Sequence, residues 1–151
     1  MADINDGIDI LEDLIETCRD GENGFKQAAE KINDPEIRGF FLTQSTERAE
    51  FARELEAEVQ RLGKSNPEHK GSAAGALHRS WMGLKDALGG GTKSILESAE
   101  KGEDSAKDAY KKALTDEDLP PSSRPIVQRQ AESVRFAHDR VRHLRDTAKA
   151  A

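Results

Sequence analysis

Apolar residues recur along the first thirty positions at alternating spacings of four and three: Ile4, Ile8, Leu11, Ile15, Cys18, then Phe25, Ala29 and Ile32. That spacing is the seam of a helix packed in a bundle. One position in the seam, Glu22, carries a carboxylate. A second helix follows Asn33-Asp34-Pro35, with Asp34 suited to the N-cap and Pro35 to the first helical position. Its inward set is Ile37, Phe41, Phe51, Leu55, Val59 and Leu62, and Gly63 reads as its stop. A third helix, from about Thr92 to Leu114, has the seam Leu96, Ala99, Glu103, Ala106, Tyr110 and Ala113, again broken by a carboxylate. The fourth, capped by Ser122 or Ser123, runs to about Lys149 with Val127, Val134, His138, Val141 and, off centre, Leu144 inward.

The first and second helices, and the third and fourth, are joined by short turns, so each pair is expected to be antiparallel. Residues 63–91 between the pairs are too many for a turn and contain a short amphipathic segment, Leu77, Trp81, Leu84 and Leu88, ended by Gly89-Gly90-Gly91. A connection of that length can climb the whole bundle. The expected architecture is an all-α, single-domain four-helix bundle over residues 1–151, ordered up-down-down-up, with a helical crossover between the second and third helices.

Composition narrows the function. Charged residues are 34% of the chain and aromatics 5%, so burial falls to Leu, Ile, Val and Ala, and helices are favoured. The net charge of -6 argues against nucleic acid as the main partner. The Arg-rich stretch from Arg124 to Lys149 is spread around its helix and reads as a solvated face. Cys18 is the single cysteine and can form no internal disulfide. The acidic N-terminus has no apolar signal region, and no apolar run approaches the ~20 residues of a membrane span. The expectation is a cytoplasmic protein that engages no membrane.

The seam breakers gather at one depth. Counting from the turns, Glu22, Gln44, Arg48, Glu103 and His138 approach one mid-bundle layer, with Glu47 at its border. A carboxylate facing a core costs several kcal/mol unless a cation, a proton or a metal answers it. Two chemistries satisfy the layer. In one, Glu22, Glu47, Glu103 and His138 ligate Fe, Mn or Zn, with open positions for oxygen or peroxide chemistry. In the other, Arg48 forks across Glu22 and Glu103, while Gln44 and His138 complete the hydrogen bonds.

The segments Asp20-Gly21-Glu22-Asn23-Gly24-Phe25, Glu47-Arg48-Ala49-Glu50-Phe51-Ala52, Gly75-Ala76-Leu77-His78-Arg79, Glu100-Lys101-Gly102-Glu103 and Ala137-His138-Asp139-Arg140 carry a resemblance over almost the whole chain. The chain resembles the ferritin-like superfamily, and more closely a bacterial family of four-helix-bundle proteins of unknown function. The di-iron members of that superfamily supply one Glu from each of two helices and a Glu-x-x-His from each of the others. Glu22 and Glu103 match the single glutamates. Glu47 and His138 each match half of a Glu-x-x-His, but Glu50 stands where one His belongs and Arg135 where one Glu belongs. The resemblance therefore implies a ferritin-like fold without a complete di-iron site. It leaves two functions open: a non-catalytic stress-related or interaction protein, or a metal protein with oxidase-type chemistry.

The remaining features carry simpler readings. His138 alone is equally a core histidine bonded to Glu103. His69, His78 and His143 share no spacing, and Glu97 and Glu100 fall off the seam. Leu77, Trp81, Met82 and Leu84 form a face that packs on the bundle or makes a homodimer contact. Neither a phosphate loop, a nucleophile elbow nor a Cys-rich zinc pattern is present, so no hydrolase or nucleotide-dependent reading has support.

Overall fold

The computed structural model describes residues 4–64 and 91–148. Four helices account for most of them: α1 (Ile4–Lys31), α2 (Pro35–Arg61), α3 (Gly91–Thr115) and α4 (Arg124–Thr147). There is no strand among the described residues, and none of these helices is long and apolar enough to cross a membrane. The segment with Leu77, Trp81, Met82 and Leu84, the expected interface and crossover helix, lies outside the described residues.

The helices form because their apolar seams have somewhere to go. α1 packs along α2 and α3, and α3 packs along α4. Ile8, Leu11, Ile15, Cys18, Phe25 and Ala29 of α1 are buried, as are Ile32 just after it and Phe41, Phe51, Leu55 and Val59 of α2. Leu96, Ala99, Ala106, Tyr110 and Ala113 of α3 and Val127, Val134 and Val141 of α4 complete one continuous core. Ile4, read as inward, is 49% exposed and borders an open groove with Leu62, Gly63 and Lys64. The rings of Phe25 and Phe41, 5.5 Å apart between centroids, tie α1 to α2.

Local chemistry sets the ends. Asp34 accepts from the backbone N–H groups of Glu36 (2.9 Å) and Ile37 (3.1 Å), satisfying two donors that the first turn of α2 leaves open. Nε of Arg38 donates to the carbonyl of Ile32 at 2.9 Å, which closes the turn from the other side. At the far end Gly63, at φ 111, lets its own N–H reach Gln60 O and that of Lys64 reach Val59 O. That paired closure needs a left-handed residue, which glycine adopts freely.

The α3–α4 turn departs from the expected serine cap. Ser123 holds the N-cap position but makes no side-chain capping bond. Pro125 stands in the first turn without an N–H, removing a donor that a cap would serve. The Ser122 hydroxyl instead accepts from Arg61 at 2.6 Å. Leu119 plugs this end of the core, and Pro120 lies so close to α1 that a Cβ on Gly7 would come within 2.7 Å of its ring.

If Asp34 fixes the α1–α2 turn, Asp34→Ala should cost about 1 kcal/mol. Thermal unfolding should then show a fall in Tm of roughly 2–4 °C. An unchanged Tm would mean that Pro35 alone sets the turn.

Candidate functional site: a buried ion pair among polar bonds

Arg48 lies on the inward stripe of α2 with Phe41, Phe51 and Leu55, and it is among the largest fully buried side chains. It fits because α1 presents Gly21 to it. A Cβ at that position would stand 3.0 Å from one guanidinium nitrogen and 3.5 Å from Cγ. The freed space lets the arginine cross to α3, where Nη1 donates to Glu103 Oε1 at 2.8 Å and Nη2 to Oε2 at 2.5 Å. The two side chains are 1% and 0% exposed. Parallel two-bond pairing of this kind is the geometry in which a buried carboxylate and guanidinium best offset their lost hydration. Burial works against the arginine's charge, yet the carboxylate of Glu103 prevails and holds its pKa above the ordinary value. The guanidinium also lies over the Phe25 ring, 5.3 Å from its centroid.

Beside the pair runs a string of hydrogen bonds that touches all four helices. Cys18 Sγ of α1 is 3.0 Å from the Tyr110 hydroxyl of α3. That hydroxyl donates to Gln130 Oε1 of α4 at 2.7 Å, and the Gln130 amide donates to Glu54 Oε1 of α2 at 2.7 Å. With the tyrosine proton directed at Gln130, the thiol is the donor to the tyrosine oxygen. Burial pushes the Cys18 thiol up to about 11, and burial likewise carries the Tyr110 phenol well above its usual range. Both stay neutral at pH 7.

Several positions differ from the expected layer. Glu22 does not enter it: its side chain is 29% exposed and pairs with Arg19 at 3.0 Å, and Arg19 also reaches Glu56 at 2.9 Å. After Cys18 a seam can step three residues or four, and the three-residue step puts Gly21 inward. That choice admits Arg48 and leaves Glu22 its water. Glu47 is half-buried beside an outer groove with Leu42, Thr46 and Glu50, away from Glu103. Gln44 is buried one turn from Arg48, but it does not complete the pair's bonds. Its Oε1 and Arg48 Nε have no partner among the described residues.

His138 is buried, but its partner is not Glu103. Nε2 is 2.5 Å from Asp104 and Nδ1 3.1 Å from Asp139. Both ring nitrogens are thus taken up by aspartate carboxylates, and neither meets Glu103. The bond from His138 holds the Asp139 carboxyl below its usual range.

The donors that a ferritin-like metal would need are therefore dispersed. Glu103 is held by Arg48, Glu22 by Arg19 and His138 by two aspartates. Among the described residues no group of three or more His, Cys, Asp or Glu side chains is placed to hold a metal ion. Glu22, Glu103 and His138 each answer a different partner, and Glu47 borders an outer groove.

Gln130 and Glu12 were not legible as buried polar positions. Glu12 is fully buried and pairs with Lys64 at 3.0 Å. Its place directly after Leu11 in the seam was the available signal.

The described residues thus form an all-α four-helix bundle with buried salt bridges. Residues 6–116 match the family described as a domain of unknown function, DUF2383, and the chain belongs to that family. The matched stretch includes Arg48 and Glu103 and ends before α4, so His138 and Gln130 lie beyond it. No curated protein matches the chain.

Two outcomes test the site. Arg48→Met strands the buried Glu103 carboxylate and should cost about 3–5 kcal/mol in urea unfolding, with Arg48→Met/Glu103→Leu recovering most of it. A double variant no more stable than the single one would show that packing, not charge, governs the layer. The second concerns alkaline pH. An unfolded thiol ionises near pH 8.5, whereas Cys18 in the fold holds its proton to about 11. Its contribution is therefore complete below the unfolded pKa and is lost as pH rises toward the folded one. Wild-type stability should fall between pH 8 and 10.5 by up to a few kcal/mol more than that of Cys18→Ala. Parallel curves for the two proteins would contradict the thiol's burial.

Proposed function

We propose that this chain is a ferritin-like bundle in which an internal ion pair takes the place of a metal, and that it acts as a non-catalytic, stress-related or interaction protein of the bacterial cytoplasm. The observation that carries the reading is the double bond of Arg48 to Glu103. Both carboxylate oxygens already face a cation that is neither lost nor exchanged, and a metal would have to displace it.

The up-down-down-up order belongs to the same proposal. What supports it is the pairing of residues across the bundle. Arg129 and Gln130 meet Glu54, whereas Arg140 meets Glu36, as expected of opposed α2 and α4. Tyr110 meets Cys18 while Pro120 approaches Gly7, as expected of opposed α1 and α3. In that order the last turn of α2 and the first turn of α3 stand at opposite ends of the bundle. Self-association through Leu77, Trp81, Met82 and Leu84 is the form of interaction we favour, since an indole among leucines is a strong contact centre.

Elemental analysis of tag-free protein, with thermal melts after anaerobic addition of Fe²⁺, Mn²⁺ and Zn²⁺, tests this function. The proposal expects metal far below stoichiometry and no rise in Tm. Near-stoichiometric metal that disappears in Glu103→Gln would overturn it in favour of a metal protein using Glu22, Glu47, Glu103 and His138.

A further inference from the structure

A groove of about 570 Å³ lies on the outer side of the α3–α4 pair, within the size range of small-ligand sites. Its walls combine two chemistries. Leu114 of α3 and Ala131 of α4 supply an aliphatic surface, and Lys107, Lys111 and Arg135 bring three cations to the same groove against one anion, Glu132. In a chain of net charge -6 such a local excess of positive charge is a departure from the whole.

The arrangement of these charges points to a ligand. Five other arginines of this bundle, Arg19, Arg61, Arg129, Arg140 and Arg145, hold carboxylates, and Arg38 and Arg124 donate to backbone carbonyls. Lys111 and Arg135 are exposed and belong to no ion pair among the described residues. Lys107 is half-buried; its charge is felt by Asp139, but the two do not close an ion pair. Lys107 and Lys111 are one turn apart on a single face of α3, so two ammonium groups can converge on one head group, with Arg135 supplying a planar fork from the opposite wall. The aliphatic stems of the lysines extend the apolar floor beneath their charges.

We propose that this groove binds a small anionic amphiphile, a carboxylate or phosphate head held by Lys107, Lys111 and Arg135 with a short aliphatic chain laid against Leu114 and Ala131. The occupant is not a polyanion such as nucleic acid, because Glu132 puts an anion in the same groove and Leu114 and Ala131 make part of its wall aliphatic. The site is separate from the buried Arg48–Glu103 pair, so it stands whatever becomes of the metal question.

Isothermal titration calorimetry with decanoate and decyl phosphate, kept below micelle-forming concentrations, tests it. Decyl maltoside supplies the chain without the charge, and inorganic phosphate the charge without the chain. Saturable one-to-one binding of an anionic amphiphile is expected, at least tenfold weaker for Lys111→Gln/Arg135→Gln and several-fold tighter for Glu132→Gln. Both variants alter exposed side chains, so their melting curves should match wild type, and the tightening in Glu132→Gln cannot come from misfolding. The tighter of the two heads identifies the natural one. No saturable binding, equal binding of decyl maltoside, or affinities indifferent to these substitutions would overturn the proposal. So would a dimer in sedimentation that dissociates in Lys111→Gln/Arg135→Gln, which would assign the groove to a second copy of the chain.

Discussion

A carboxylate can stand in the dry middle of a helical bundle only if something positive presses against both of its oxygens. Glu103 has such a partner in Arg48, and much of the molecule is arranged to make the contact possible. Gly21 gives up its side chain so that the guanidinium can pass α1. Phe25 offers the face of its ring to the same cation. Isolated in a medium of low polarity, either charge would cost several kcal/mol, which is why the two must be gained or lost together. The pair links α2 to α3 directly, and the Cys18–Tyr110–Gln130–Glu54 string links α1, α3, α4 and α2. A core of Leu, Ile, Val and Ala tolerates many packings, whereas these bonds accept one register.

That arrangement also bears on chemistry. In a metal protein of similar build, carboxylates from several helices repel one another until an ion arrives, so the empty site is poised to bind. Here the positive charge is covalently part of α2, and Arg48 does not titrate or dissociate under ordinary conditions. The other candidate ligands have been drawn off by local partners: Glu22 by Arg19, and His138 by Asp104 and Asp139. Membership of a family described only as a domain of unknown function adds no activity to this. The surface, where Lys111 and Arg135 stay unanswered, is where ligand chemistry is most readily sought.

How far the sequence revealed this can be followed residue by residue. The seams through Leu11, Phe41, Leu55, Leu96 and Val134 were readable because period and burial coincide, and Asp34-Pro35 marked the start of α2 because capping chemistry is local. The depth of Glu103 and the inward phase of Arg48 followed from the same periodicity. What periodicity could not decide was a choice between adjacent residues. Gly21 and Glu22 both continue the α1 seam, and only the volume of Arg48 on the neighbouring helix selects the glycine. Asp104 and Glu103 are likewise adjacent, and it is the aspartate that meets His138 while the glutamate meets Arg48. Side-chain direction, which brings Tyr110 between Cys18 and Gln130, has no signature in a linear pattern.

Nitrogen-detected NMR of the Arg48 guanidinium in ¹⁵N-arginine-labelled protein at neutral pH probes the buried pair most directly. A guanidinium clamped through both terminal nitrogens should give separate, slowly exchanging Nη resonances that merge in Glu103→Gln. Averaged, rapidly exchanging Nη signals in the wild-type protein would mean that Arg48 is free of Glu103, and the central layer would need another explanation.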